Sequence, residues 1–205
     1  MSKLLSLAGI SKRFGGVKAL TGVDFDICAG EVHALVGENG AGKSTMMKVI
    51  AGNYQPDAGT MQLHGEAVRF RNPHAALERG IALIHQETAL APDLTVAENV
   101  MLSHLPRLIR WGELYKQAAS LLDGLGFAID PGALVSSLPA AHRQVVEIAK
   151  ALSLDVKLLV LDEPTASLAP SDAKRLMAIV SDLRARGVGV VYITHRLQEV
   201  FEIAD

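Results

Sequence analysis

At 205 residues, 49% hydrophobic and only 4% aromatic, the chain can fill one globular domain with room for a small inserted lobe. Twenty basic residues against 22 acidic leave a net charge of −2 with no basic run of five or more, which excludes the electrostatic footprint of a nucleic-acid binder. The single Cys28 excludes an internal disulfide and fits a reducing compartment; the N-terminal MSKLLSLAGI is too short and interrupted for a signal peptide, and no run of about 18 apolar residues marks a membrane span.

In chain order, Val23, Phe25 and Ile27 alternate with Asp24 and Asp26, which predicts a half-buried strand. Residues 32–36 (VHALV) form a short apolar run, as expected of a strand buried on both faces of a parallel sheet, and 81–85 (IALIH), 158–161 (LLVL) and 188–193 (VGVVYI) read the same way. Between 88 and 154 strand signals stop. Leu114, Ala118, Leu121, Leu122 and Leu125 make one helical stripe, Val145, Ile148, Ala149 and Leu152 a second, and Leu176, Ile179, Val180 and Leu183 a third further on. The order predicts an α/β fold with a mainly parallel central sheet flanked by helices. Its expected organisation is a core in two parts, 1–87 and 155–205, interrupted by an α-helical lobe over 88–154.

The strongest chemical signal is GENGAGKST at 37–45. Gly37, Gly42, Lys43 and Ser44 satisfy G-x-x-x-x-G-K-[ST] between the strand VHALV and the helical stretch TMMKVI. Glycines let the backbone bend around phosphates, consecutive N–H groups face the anion, Lys43 neutralises its charge and the Ser44 hydroxyl is placed for Mg²⁺. Gly37, Asn39, Gly40, Ala41, Gly42, Lys43, Ser44 and Thr45 are therefore the candidate nucleotide contacts. In VKLLVLDEPT, Asp162 and Glu163 end an apolar strand, where ligands sit in open α/β sheets. Asp162 is the candidate Mg²⁺ partner and Glu163 the candidate base or orienter of a water; in isolation the pair also reads as an acidic turn before Pro164.

With these motifs, from about residue 3 to its C-terminus, the chain resembles the ATP-binding cassette ATPases of ABC transporters. IHQE at 84–87 is similar to the family's Q-loop, with Gln86 as a Mg²⁺ or water contact, and YITHRL at 192–197 to its switch histidine, His195. SKRFGGVKAL at 11–20 resembles the segment carrying the adenine-stacking aromatic, which maps to Phe14. Each has a plainer alternative: a core aromatic for Phe14, a solvated polar residue for Gln86, a helix cap for His195. GNYQPDAGTMQLHGEAVRF and HQETALAPDLTVAENVML look most like the ribose and monosaccharide import branch. The resemblance implies a P-loop NTPase fold with an N-terminal antiparallel β portion. It also implies ATP and Mg²⁺ as ligands and a peripheral place on the cytoplasmic face of the membrane. The implied partners are a second cassette, identical or not, membrane permease subunits and, indirectly, a periplasmic or extracellular sugar-binding protein.

Two departures from the family pattern stand out. Where a Leu-Ser-Gly-Gly-Gln-like signature serves the partner's nucleotide, this chain has Leu138, Pro139, Ala140, Ala141 and His142. Pro139 lacks both hydroxyl and N–H, and Ala141 adds a methyl where backbone approach is close. After Ala166-Ser167-Leu168 the family usually has Asp, and this chain has Ala169. Asp205 follows His195 by only ten residues, so the resemblance implies further strands and, in the sugar-import branch, a whole second cassette; a chain truncated to most of one cassette is expected. The expected function is ATP hydrolysis that energises sugar import, with a low-turnover regulatory or non-transport cassette as the alternative.

Overall fold

The computed structural model describes residues 3–38, 40–85, 89–105 and 108–205, apart from the His104 side chain. The candidate residues Asn39 and Gln86 lie outside the described residues. By contacts the chain forms two compact units. The first comprises Met1–Leu83, Val156–Glu163 and Val180–Asp205, the second Ile84–Asp155 and Pro164–Ile179. Residues 164–179 thus group with the helical unit although they follow the second part of the core in sequence.

The first unit holds two four-stranded sheets. β1 (Lys3–Phe14) and β2 (Val17–Cys28) form a long antiparallel hairpin turning at Gly15-Gly16. β4 (Ala58–Leu63) pairs antiparallel on the other side of β1, and β5 (Glu66–Val68) pairs with β4, giving the order β2-β1-β4-β5. The hairpin's register shifts leave backbone amides that side chains satisfy: Gly9 N–H donates to Asp24 at 2.7 Å and Gly22 N–H to the Ser11 hydroxyl at 2.9 Å.

The second sheet has the order β3-β8-β7-β6, from β3 (Val32–Leu35), β8 (Gly189–Ile193), β7 (Leu158–Asp162) and β6 (Ile81–Ile84). β8 runs parallel to both neighbours. Leu158 to Leu161 and Val190 to Tyr192 are fully buried, which explains why these strands read as unbroken apolar runs. Helix α1 (Lys43–Ile50) adds Met46, Met47, Val49 and Ile50 to a core shared with Leu5, Leu7 and Ile10 of β1 and with Val160 and Val191 of the parallel sheet. Burying each such side chain contributes about 1.5–3 kcal/mol. A short helix α2 (Pro73–Glu78), capped by Asn72, leads into β6.

The second unit is helical: α3 (Val96–Met101), α4 (Trp111–Gly124) and α5 (Ala140–Leu152) pack on one another through Val96, Val100, Leu114, Ala118, Leu122, Val145 and Ile148. α3 starts with a capping box in which the Thr95 hydroxyl and backbone N–H both meet Glu98. Those two hydrogen bonds hold the Glu98 carboxyl below its ordinary range. Helix α6 (Pro170–Ala185) crosses from the second unit to the first at residue 180, and α7 (Leu197–Ile203) follows β8. The α/β architecture, with its antiparallel portion and helical unit, is the one expected from the sequence.

Candidate active site

Parallel pairing sets the site. Leu35 lies opposite Ile193, and Ile193 opposite Asp162, so the C-terminal ends of β3, β8 and β7 stand side by side. Each end opens into one sequence-predicted motif: the 37–45 loop after β3, Glu163 after β7, and His195 two residues beyond β8. Open α/β sheets present ligands at this edge because strand ends there release backbone into loops.

Gly40, Ala41, Gly42, Lys43, Ser44 and Thr45 line one cleft of about 310 Å³, together with Asp162, Glu163, Ile193 and, from the β1–β2 hairpin, Val17, Lys18 and Ala19. Gly42 caps α1 with φ 89°, a conformation open to glycine. A Cβ there would stand 2.7 Å from the Ala19 carbonyl oxygen, so the loop crosses β2 at backbone contact distance. The first turn of α1 has no acidic residue and no side-chain cap, leaving its N–H groups to whatever anion the cleft takes. Lys43 Nζ donates to the carbonyls of Gly37 at 2.6 Å and Glu38 at 2.9 Å, which folds the loop around its own cation.

On the other side, Glu163 takes a positive φ of 48° and donates its N–H to the Ile193 carbonyl at 3.1 Å. His195 Nδ1 lies 3.2 Å from Glu163 Oε1, with the histidine side chain 62% exposed and the glutamate 23%. The segment carrying His195 is anchored from below: buried Glu199 of α7 accepts from the Tyr192 hydroxyl at 3.0 Å and the Thr194 hydroxyl at 2.9 Å. Sequence reading missed this anchor, whose only signal is a glutamate four residues after the histidine.

Phe14 is not among the residues lining the cleft. Its ring, 41% exposed, packs edge-on against Tyr54 at 5.0 Å between centroids, and Lys12 Nζ lies 5.7 Å from its centre. Tyr54 lies in the GNYQ stretch, where its sequence neighbours give no sign that it meets Phe14. In the helical unit, Pro139 is the N-cap of α5 and makes no side-chain cap bond; His142 meets Phe127 edge-on at 6.0 Å, and the Arg175 guanidinium lies 5.8 Å from the same ring. Chemically, the first unit's cleft offers the ammonium groups of Lys43 and Lys18, a helix N-terminus, the hydroxyls of Ser44 and Thr45, and two adjacent carboxylates, one of them against an imidazole. That set suits an anion bound with a divalent metal and attacked by water.

The family model described as "ABC transporter" matches residues 20–166. Among curated relatives, the chain is 58% identical over its whole length to a ribose import ATP-binding protein, RbsA, of Chelativorans sp. (strain BNC1), covering 40% of that protein. It is 59% identical, with 41% covered, to a putative ribose/galactose/methyl galactoside import ATP-binding protein of Rhizobium meliloti (strain 1021). An arabinose import ATP-binding protein, AraG 1, of Burkholderia ambifaria (strain ATCC BAA-244 / DSM 16087 / CCUG 44356 / LMG 19182 / AMMD) is 46% identical, again with 41% covered. The chain therefore spans about 40% of the length of these relatives. Among solved structures, a nucleotide-free ATP-binding cassette from an ABC transporter superposes with a TM-score of 0.88 at 28% identity, covering 99% of this chain and 85% of that one. The ADP conformation of MJ1267, an ATP-binding cassette of an ABC transporter, gives 0.87 at 28% identity, covering 100% and 86%.

Proposed function

We propose, from the premise that the chain belongs to the ATP-binding cassette family of ABC transporters, that it hydrolyses MgATP and that hydrolysis energises sugar import through a membrane permease. The observation that carries this is the meeting of three strand ends in one cleft, with Lys43, Asp162 and Glu163 lining it and His195 against Glu163. The names of the relatives, ribose and arabinose import proteins, support the sugar.

The residues fit the nucleotide and its metal. The 37–45 loop, Asn39 included, and the N-terminus of α1 cradle the phosphates, and Lys43 exchanges its carbonyl partners for phosphate oxygens. Phe14 stacks on the base. Ser44 and Asp162 would hold Mg²⁺, with Gln86 as a third candidate, and the ion supplies neutralisation of phosphate charge. Glu163 orients the attacking water and accepts its proton; His195, whose Nδ1 lies 3.2 Å from Glu163, stabilises charge on the outermost phosphate. The partners are a second cassette, a copy or another chain, and permease subunits. The latter would place the protein peripherally at the cytoplasmic face of the membrane, in indirect exchange with a sugar-binding protein. Among the described residues no helix is long and apolar enough to cross a membrane.

A second reading, a nucleotide-dependent switch with little turnover, is favoured by Pro139. As N-cap of α5 it brings neither hydroxyl nor N–H to the turn that the family offers to a partner's nucleotide. Steady-state MgATP hydrolysis across a range of protein concentration, with Lys43→Ala as the blank, separates the two. Turnover per molecule that rises with concentration supports the hydrolase; binding without turnover above the blank supports the switch. Co-purification with permease subunits tests the transport role.

A further inference from the structure

Residues 89–94 enter no helix or strand, yet their backbone is hydrogen-bonded at Ala89, Ala91, Pro92 and Leu94 within the helical unit. Glu147 of α5, 7% exposed, accepts the Ala89 N–H through Oε1 at 2.9 Å, and Lys150, three residues on, lies 3.4 Å from the Ala89 carbonyl. Fully buried Asn99 accepts the Ala91 N–H at 2.8 Å and donates to the carbonyls of Ala91 and Thr95, both at 3.0 Å. The Pro92 and Leu94 carbonyls in turn accept the N–H groups of Ser136 at 3.0 Å and Val135 at 3.1 Å. Those two residues belong to the 3₁₀ turn Val135–Ser137, which ends directly before Leu138. Hydrogen bonds at both ends of the 89–94 backbone therefore connect Glu147, through the stretch that follows 86–88, to the turn that leads into 138–142.

One feature of this connection is costly. Among the described residues, Glu147 Oε2 and, three residues earlier on the same helix, Gln144 Nε2 are buried without a hydrogen-bond partner, and Gln144 is only 5% exposed. Such open polar atoms are rare in cores and, where present, mark a strain reservoir or a working site.

We infer that Glu147 is a positioning residue for the nucleotide chemistry. Its carboxylate binds the 89–94 stretch and the 135–137 turn into one body, so that the exit from the expected Q-loop and the signature-like turn keep a fixed spacing. This rests on the hydrolase reading above for its effect on turnover, but the coupling itself is measurable without it.

The test compares wild type, Glu147→Ala, Glu147→Gln and Lys150→Met by residue-resolved amide exchange and by MgATP kinetics, with a thermal melt on each. Glu147→Ala should speed exchange by about tenfold or more at Ala89 and also at Val135 and Ser136, while Val160 and Val191 in the other unit stay unchanged. Turnover at saturation should fall by about tenfold with KM within about twofold. Glu147→Gln, whose amide oxygen still accepts, should restore both; Lys150→Met, mild enough to leave folding intact, should move the same amides by a smaller factor. Faster exchange at Ala89 alone, or lower thermal stability with unaltered turnover, would overturn the inference. Should wild-type turnover not exceed the Lys43→Ala blank, the hydrolase reading fails, and exchange at Val135 and Ser136 still decides the coupling.

Discussion

Gly40 and Gly42 offer a controlled comparison within the phosphate-type loop. Their φ angles are nearly the same, 87° and 89°, so replacing either by Ala carries the same left-handed backbone cost of about 1–2 kcal/mol. At Gly40 nothing among the described residues lies within 4 Å of the added methyl, and that cost is the whole effect. At Gly42 the methyl would stand 2.7 Å from the Ala19 carbonyl oxygen and 2.9 Å from Leu20 Cδ2. Ala19 belongs to β2, which is paired with β1, so relief requires backbone movement rather than a rotamer change. Forced overpacking adds about 1–3 kcal/mol. For a chain of this size each kcal/mol lowers Tm by about 2–4 °C, so Gly42→Ala should melt about 2–12 °C below Gly40→Ala. Scanning calorimetry on the two variants at matched concentration reads the difference. Equal melting temperatures, or Gly42→Ala the more stable, would refute the close crossing of loop and β2.

Glu163→Gln should retain MgATP affinity within a few-fold while turnover falls by about 10²–10⁴, as expected on losing a positioned base; near-normal turnover would move that role elsewhere. Combining Pro139→Ser with Ala141→Gly should raise turnover, by up to about 10²-fold if absent donors at this turn limit the reaction; unchanged kcat would acquit the turn. Burial pushes the Glu147 carboxyl above its ordinary value of 4.5, against the opposing hydrogen bond from Ala89. The folded state then holds the proton more tightly than the unfolded one. This contribution to stability is complete below 4.5 and is lost as pH rises through the raised folded value. Glu147→Gln should therefore gain Tm over wild type at about pH 8 and lose that gain near pH 4. A difference independent of pH would mean the carboxyl does not titrate this way.

The parallel strands were legible because burial on both faces leaves nothing but apolar residues, as in Leu158–Leu161. Helix stripes such as Val145, Ile148 and Ala149 were legible because one face meets the core. The full β1–β2 hairpin was not: register shifts around Gly9 and Gly22 break the alternation, and only Val23–Ile27 kept it. β4 and β5 went unread for a similar reason, since Gly59, Thr60, Gln62 and Glu66 are exposed and leave too few inward positions to show a period. At the site, the loop could be read because its chemistry needs particular residue types at fixed spacing. Tyr54 against Phe14, Glu199 on Tyr192 and Thr194, and Glu147 on Ala89 are meetings between residues that any local pattern leaves ordinary.

Lys43 already has two oxygen partners, at 2.6 and 2.9 Å. Any anion that takes this cation performs a ligand exchange, so the gain is the difference between phosphate and carbonyl coordination rather than the full strength of a new ion pair. On the proposed reading, the Gly37 and Glu38 carbonyls act as a placeholder for the nucleotide's phosphate oxygens.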